Sequence, residues 1–391
     1  MSIKLLIKDR IIKIKGKKYQ KQMTFSIKPD KYNITFNYWD YLAWAVYKSQ
    51  VKKFLMLGLG GGTTLEILSK WKVTPTCIGV ENNEEMIAEL KRKGWLSYSN
   101  LSIVIKEACT YIDSLNPNNL FNAIVVDLYD TNGYVQKAYK EEYLRKYLKH
   151  IPEDGFVFLH CFDPSMKYIA LNFMFPEKYK PKSITYSIAN ELCRQGARVA
   201  LIPLWESALV ISTKSDKALR YFFSRPKSNN KENLNELNWL SSFLMSRKKT
   251  INELKEYVDL YTKKEYTYKL INHNDLISLN SLLSSLPVKK SQEITKLLNI
   301  KKQSNQKQTK KIKVLELHSN GLVPIQERTL NVLLNLKALL TSITEGFSPL
   351  EGISEQILKY AEISQNYGVR QIASFALACQ KRYKEAIDIL E

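Results

Sequence analysis

Phe54-Leu-Met-Leu-Gly58-Leu-Gly60-Gly61-Gly62-Thr-Thr-Leu-Glu66 is the stretch that decides the reading of this chain. An apolar run breaks into glycines and resumes with helix-forming residues. A buried strand of this kind delivers a backbone with little side-chain bulk. The helix that follows presents N–H groups, so a nucleoside-bearing ligand can approach closely. Gly58, Gly60, Gly61 and Gly62 are therefore the first candidate binding residues.

Outward from the loop the chain alternates. The pattern predicts strands at 53–58, 76–81, 101–105, 122–127 and 155–161, with helices at 62–71, 84–93, 108–115 and 135–149. Such alternation implies a mostly parallel sheet covered by helices. A helix at 183–195 leads into strands at 197–202 and 206–213, joined by Pro203-Leu-Trp205. That link is short enough for an antiparallel hairpin, which makes the last strand antiparallel. Before the loop, Ile3–Ile7, Ile11–Ile14, Met23–Ile27 and Asn33–Phe36 read as a short β-meander. Tyr38-Trp-Asp-Tyr-Leu-Ala-Trp-Ala-Val46 reads as an aromatic-rich helix ending near Lys48.

Three acidic residues fall at the inferred strand ends. Glu81, about 20 residues past the glycine loop, can accept the ribose hydroxyls of a nucleoside. Glu107, after the third strand, can accept an adenine amino group or open the next helix at its positive end. Asp127 closes the fourth strand, with Asp130 one turn of chain further on. Ligands of open parallel sheets bind outside the carboxyl ends of the strands. Two carboxylates there suit an amine, one holding it and one removing its proton. Asp130-Thr-Asn132-Gly133 is also a good turn sequence. His160 beside Cys161 is read as an ordinary strand-end pair, since no third ligand or base is near in sequence.

Composition sets bounds. The 391 residues have room for two or three domains, and 45% hydrophobic residues suffice for a real core. No apolar run approaches the roughly 20 residues of a membrane span, and no secretory leader is read at the N-terminus. Five scattered cysteines without a C-x-x-C pair point to a reducing, cytoplasmic setting, and no metal site is expected. The net charge of +21 favours an acidic partner such as nucleic acid, or else spreads over a diffuse lysine-rich surface. Homo-oligomerisation is left open. Domains are expected at 1–37 (the meander), 38–223 (the α/β domain) and 224–391 (a basic, all-helical region with a polar linker near 301–311). The proline-rich segment 162–182 reads as a lid or a connector.

At this point residues 38–213 resemble the polyamine aminopropyltransferases, meaning spermidine synthase and its relatives. The likeness rests on Gly58-Leu-Gly-Gly-Gly-Thr-Thr-Leu-Glu66, Val80-Glu81, Glu107-Ala108, Ala123-Ile-Val-Val-Asp127-Leu-Tyr-Asp130, Tyr139-Lys-Glu-Glu-Tyr143-Leu and Ile151-Pro-Glu-Asp-Gly155. It covers a little under half the chain. The resemblance implies a Rossmann-like methyltransferase fold of class α/β and a role in polyamine biosynthesis. It implies decarboxylated S-adenosylmethionine as donor and a small amine as acceptor. It makes Asp127 the proton acceptor and Asp130 an amine-holding residue, and it matches Tyr38 and Asp40 to the family's substrate-binding helix near the N-terminal meander. Gly61 stands where the family usually carries an aspartate for the donor's amino group. A donor that keeps its carboxylate suits that glycine. The alternatives are therefore an S-adenosylmethionine-dependent methyltransferase, acting on nucleic acid through the basic region, or a non-catalytic binding protein on the same fold.

Overall fold

The computed structural model describes residues 4–8, 11–15, 23–27, 33–35, 37–130, 133–163, 166, 183–204, 207–224, 235–252, 314–318, 321–325, 367–379 and 381–391. They fall in two compact units, Met1–Met166 with Lys182–Leu254, and Lys167–Pro181 with Lys255–Glu391.

The first unit opens with an antiparallel sheet of β1 (Lys4–Lys8), β2 (Ile11–Lys15) and β3 (Met23–Ile27). The fourth strand expected at Asn33–Phe36 is not formed over Asn33–Thr35. There the Thr35 amide and hydroxyl donate to Asp40 Oδ1 at 2.7 and 2.8 Å, which folds the chain into the start of a helix instead of a ladder. That helix, α1 (Tyr38–Ser49), begins at an Asn37 capping box closed by Asp40. It buries Trp39, Leu42, Ala43, Trp44 and Val46. Gln50, in the left-handed region, ends it.

Next come β4 (Lys53–Leu57), α2 (Thr63–Lys70), β5 (Thr76–Glu81), α3 (Glu84–Arg92), β6 (Leu101–Ile105), α4 (Ala108–Asp113) and β7 (Ala123–Val126). A two-residue ladder, β8 (Tyr129–Asp130) with β9 (Gly133–Tyr134), follows Asp127. The helix expected over 135–149 is split. A 3₁₀ turn at Gln136–Tyr139 and α5 (Glu141–Lys149) meet at Lys140, whose backbone is extended. The Tyr139 hydroxyl donates to the His160 carbonyl and the Tyr147 hydroxyl to the Ala138 carbonyl, both at 2.9 Å. These two bonds hold the turn off the helix axis. The chain continues through β10 (Phe156–Phe162), α6 (Ile184–Arg194), β11 (Arg198–Pro203), β12 (Ser207–Thr213), α7 (Asp216–Ser224), α8 (Asn235–Ser246) and β13 (Lys249–Thr250). The segment 162–182, read as a lid or a connector, lies outside the described residues except for Phe162, Asp163 and Met166.

The eight-stranded sheet has the order β13-β11-β12-β10-β7-β4-β5-β6. Strands β10, β7, β4, β5 and β6 run parallel, while β12 is antiparallel to both β10 and β11. The chain thus winds from β4 outward through β5 and β6, then returns to β7 and β10 on the other side. The switch point lies between β4 and β7, where open α/β sheets take their ligands. The central strands are apolar on both faces: Phe54–Leu57, Ile124–Val126 and Val157–Leu159 are all buried, as helices on both sides require.

The polar stretch at 224–233, read as a domain boundary, does not end this unit. Beyond it α8 buries Leu237, Leu240, Phe243 and Leu244 at helical spacing. The buried Trp44 Nε1 of α1 donates to Ser241 Oγ at 2.8 Å, and β13 adds an edge strand beside β11. The second unit is not all-helical. Val314–His318 (β14) and Gly321–Ile325 (β15) pair antiparallel, His318 opposite Gly321. Helices α9 (Tyr367–Cys379) and α10 (Tyr383–Asp388) form its described helical part, tied by Ser374 Oγ donating to the Ala386 carbonyl at 2.5 Å. The linker expected near 301–311 lies outside the described residues. Among the described residues, no helix is long and apolar enough to cross a membrane.

Candidate active site

The carboxyl ends of the parallel strands gather the predicted residues. Leaving β4, Gly58 adopts φ +87° and donates its amide to the Val80 carbonyl at 3.0 Å. A Cβ on Gly58 would stand 2.0 Å from the carbonyl oxygen of Asp127. No residue with a side chain fits there, so the loop and the end of β7 touch backbone to backbone. Gly60 and Gly62 also have positive φ, and Gly61 between them is buried. Gly62 occupies the N-cap of α2 and supplies no side-chain hydrogen bond. Its face is covered by Leu96 and Tyr98. The Tyr98 hydroxyl donates to Glu66 Oε2 at 2.5 Å, fastening this cover to α2.

Glu81 ends β5 and faces the loop. Its Oε2 accepts the Gly60 amide at 3.1 Å, and its Oε1 accepts the amides of Asn82 and Asn83 at 3.0 and 3.2 Å. Burial pushes its carboxyl above the ordinary value, against the pull of those three amides. A carboxylate has about four acceptor positions, and three are occupied, leaving capacity for a ligand hydroxyl.

Glu107 is the N-cap of α4. It accepts the Cys109 amide at 2.9 Å and the Thr110 amide and hydroxyl at 2.7 and 2.8 Å. Burial acts to raise its carboxyl, but these bonds outweigh it and hold the group below the ordinary value. The helix-opening reading of Glu107 is thus seen directly, again with one acceptor position spare.

Asp127 follows β7 and is 9% exposed. Its amide donates to the Leu57 carbonyl at 2.9 Å, and its Oδ1 lies 3.0 Å from His160 Nδ1. His160 was read as an ordinary strand-end residue, and the structure corrects that reading. Val126 pairs with Leu159 in the parallel register of β7 and β10, so the next positions, Asp127 and His160, stand side by side on one face. The Tyr38 ring stacks on the imidazole at 3.9 Å and 11°, and the Tyr129 ring lies 5.4 Å away. The Tyr38 hydroxyl is buried near Asp127. Burial first, and then the Asp127 charge, keep that phenol protonated far above its ordinary range. Tyr129 is held up by the same two causes in the same order.

Asp40 is not brought to this group. Its two carboxylate oxygens accept from Thr35 and from the Asn37 amide in the capping box. Residues two apart on a helix point about 200° away from each other, so Tyr38 and Asp40 cannot face one site together. For Asp130 the described backbone places it in the β8–β9 ladder opposite Gly133. Cys77, Cys109 and Cys161 are buried free thiols, and Cys193 is half-buried. Burial, then the neighbouring Glu107, pushes the Cys109 thiol up to about 12. Among the described residues no group of three or more His, Cys, Asp or Glu side chains is arranged to hold a metal ion.

No family model matches the sequence, and no curated protein matches it. Solved structures similar to it include a spermidine synthase in complex with the transition-state analogue AdoDATO, at 18% identity over 66% of this chain and 88% of that one, with a TM-score of 0.43. The spermidine synthase of Thermotoga maritima is 17% identical over the same shares, with a TM-score of 0.42. Human methyltransferase-like protein 13 in complex with SAH is 14% identical over 49% of this chain and 92% of that one, with a TM-score of 0.35. The strand order itself, with a parallel core turned back at β4 and an antiparallel β12, assigns the first unit to the Rossmann-like methyltransferase fold.

Proposed function

We propose that the first unit is a transferase that moves an alkyl group from an S-adenosyl sulfonium donor to a nucleophile. In its leading form it moves an aminopropyl group from decarboxylated S-adenosylmethionine to an amine. The observation that supports this most directly is the meeting of Gly60, Glu81 and Asp127 at one sheet edge, with Gly60 bonded to Glu81 and Gly58 packed on Asp127. The backbone of Gly58–Gly62 and the spare acceptor position of Glu81 take the nucleoside, Glu81 receiving the ribose hydroxyls. Glu107 has one position left for the adenine amino group. When bound, the donor supplies a carbon made open to attack by the adjacent positive sulfur. Asp127 accepts the proton that the nucleophile releases, and Tyr38, with Asp130, borders the acceptor. Removing a proton in step with bond formation accelerates such reactions by about 10²–10⁴-fold.

A second reading has a specific observation behind it. Gly61 brings no carboxylate to the loop, which suits a donor that retains its own carboxylate and makes the reaction a methyl transfer. Nucleic acid, approached through the lysine-rich second half of the chain, is then the acceptor class that charge favours.

Calorimetry with S-adenosylmethionine, its decarboxylated form and methylthioadenosine separates the readings. Tighter binding of the decarboxylated donor is the expected result. Tighter binding of the carboxylated donor selects methyl transfer. Heat from none of the three leaves a non-catalytic binding protein.

A further inference from the structure

We propose that Nε2 of His160 is the atom that takes the acceptor's proton, and that Asp127 serves as the carboxylate that sets the tautomer of that imidazole. This rests on the transferase reading above and changes which side chain performs its proton step.

β7 and β10 are parallel neighbours, and their aligned ends put Asp127 Oδ1 3.0 Å from His160 Nδ1. An ionised carboxylate has no proton to give, so the hydrogen in this bond belongs to Nδ1. In a neutral ring that leaves Nε2 with a bare lone pair, which is the form of a general base. Nε2 is buried and, among the described residues, has no hydrogen-bond partner. Buried polar atoms are nearly always partnered, and an exception calls for a specific cause such as a catalytic role, a water or an ion.

The surroundings fix the ring without engaging that nitrogen. Tyr38 stacks on one face, Tyr129 lies near the ring at a tilt, and the Tyr139 hydroxyl holds the His160 backbone through its carbonyl. Three tyrosines and one aspartate thus orient an imidazole whose far nitrogen is left for another molecule. Asp127, by contrast, already spends Oδ1 on the imidazole.

The lone pair of the acceptor nitrogen forms a bond to the donor carbon. The carbon–sulfur bond breaks, and its electron pair stays on sulfur as a neutral thioether. The proton on the new, positively charged nitrogen passes to Nε2. The donor's positive charge ends on the imidazolium, beside the Asp127 carboxylate.

The test reads the tautomer and the turnover separately. In full-length protein labelled with ¹⁵N-histidine, the His160 signals are identified by their loss in His160→Asn. That comparison also sets them apart from His150, whose Nδ1 faces the Asn119 carbonyl at 3.0 Å. The expected result is a protonated Nδ1 and an unprotonated Nε2 at neutral pH. A proton found on Nε2 overturns the proposal whatever the substrate. His160→Asn keeps a donor for Asp127 but lacks Nε2, and His160→Gln places an amide near Nε2. With decarboxylated S-adenosylmethionine and 1,4-diaminobutane, both variants are expected to lose about 10²–10⁴-fold in kcat, with donor binding within twofold of wild type as the check on folding. Full turnover in either variant overturns the proposal alone. Wild-type protein that binds no S-adenosyl donor overturns the transferase reading and this step together.

Discussion

The two halves of the sheet edge are made of different material. On the β4–β5–β6 side, the contacts are backbone amides received by carboxylates: Gly60, Asn82 and Asn83 on Glu81, and Cys109 and Thr110 on Glu107. On the β7–β10 side they are side chains packed on side chains: Asp127 on His160, and His160 under Tyr38. The first half is assembled from residues close in sequence or fixed by one glycine loop. The second needs α1, β7 and β10 to arrive together. In the proposed transferase, backbone amides provide a fixed cradle, whereas a stacked imidazole and a carboxylate provide a proton path. The comparison teaches that binding and chemistry, on this reading, are separable by mutation.

The harshest way to break that separation is at Gly58, where the loop after β4 packs on the backbone at the end of β7. Gly58→Ala puts a methyl group on a rigid carbonyl at 2.0 Å, with φ at +87°. A loss of about 4 kcal/mol in unfolding free energy is expected, together with donor binding, since neither neighbour can yield. Urea denaturation followed by tryptophan fluorescence measures it.

Asp127→Asn acts on one half alone. It keeps the shape of the side chain and removes its charge, so kcat should fall by about 10²–10⁴-fold while the calorimetric Kd of the donor stays within twofold. Equal losses in both quantities would erase the proposed division between cradle and proton path.

Glu81→Gln is the matching change on the other half. Its new NH₂ must oppose a backbone donor, so at least one charge-assisted bond is lost, and the donor Kd should weaken about tenfold to a hundredfold. The change also carries a pH signature. Folding raises the Glu81 carboxyl above its ordinary 4.5, so the folded state holds the proton more tightly. Wild-type stability therefore declines as pH climbs from 4.5 through the raised folded value. Urea midpoints across that range should slope less steeply in Glu81→Gln.

Glu107→Ala gives the smallest effect and the opposite slope. Loss of the α4 cap costs about 1 kcal/mol. Because folding lowers this carboxyl, its contribution is fully present above 4.5 and disappears as pH falls through the lower folded value. An acid titration of stability that looks identical in wild type and variant would contradict the cap assignment.

What could be read from sequence follows the same divide. Strands β5 and β6 were expected at their observed bounds, because apolar runs flanked by glycine and acidic residues are local signals. The placement of Gly58, Gly60, Glu81 and Asp127 at the carboxyl ends of strands was legible for the same reason, each following such a run. His160 was not legible, since its partner Asp127 lies 33 residues away and only the β7–β10 register joins them. The signal available was that both residues sit one step past equivalent apolar runs. Asp40 shows the reverse: Asn37-Tyr-Trp-Asp40 is spaced as a capping box, a local pattern that accounts for its buried carboxylate. Strand β13 and helix α8 escaped assignment to the sheet because the polar stretch before them looked like an ending, although Trp44 binds across it.

The contact between Gly58 and the Asp127 carbonyl has one more consequence. Two peptide units meet there with only hydrogen between them, so the cradle cannot shift without carrying the β7 terminus along. A chain that gained any side chain at this position would have to part the two strands, and with them the glycine loop from the imidazole. The spacing across the crevice is thus set by the smallest atom in the molecule, and it admits no adjustment by repacking.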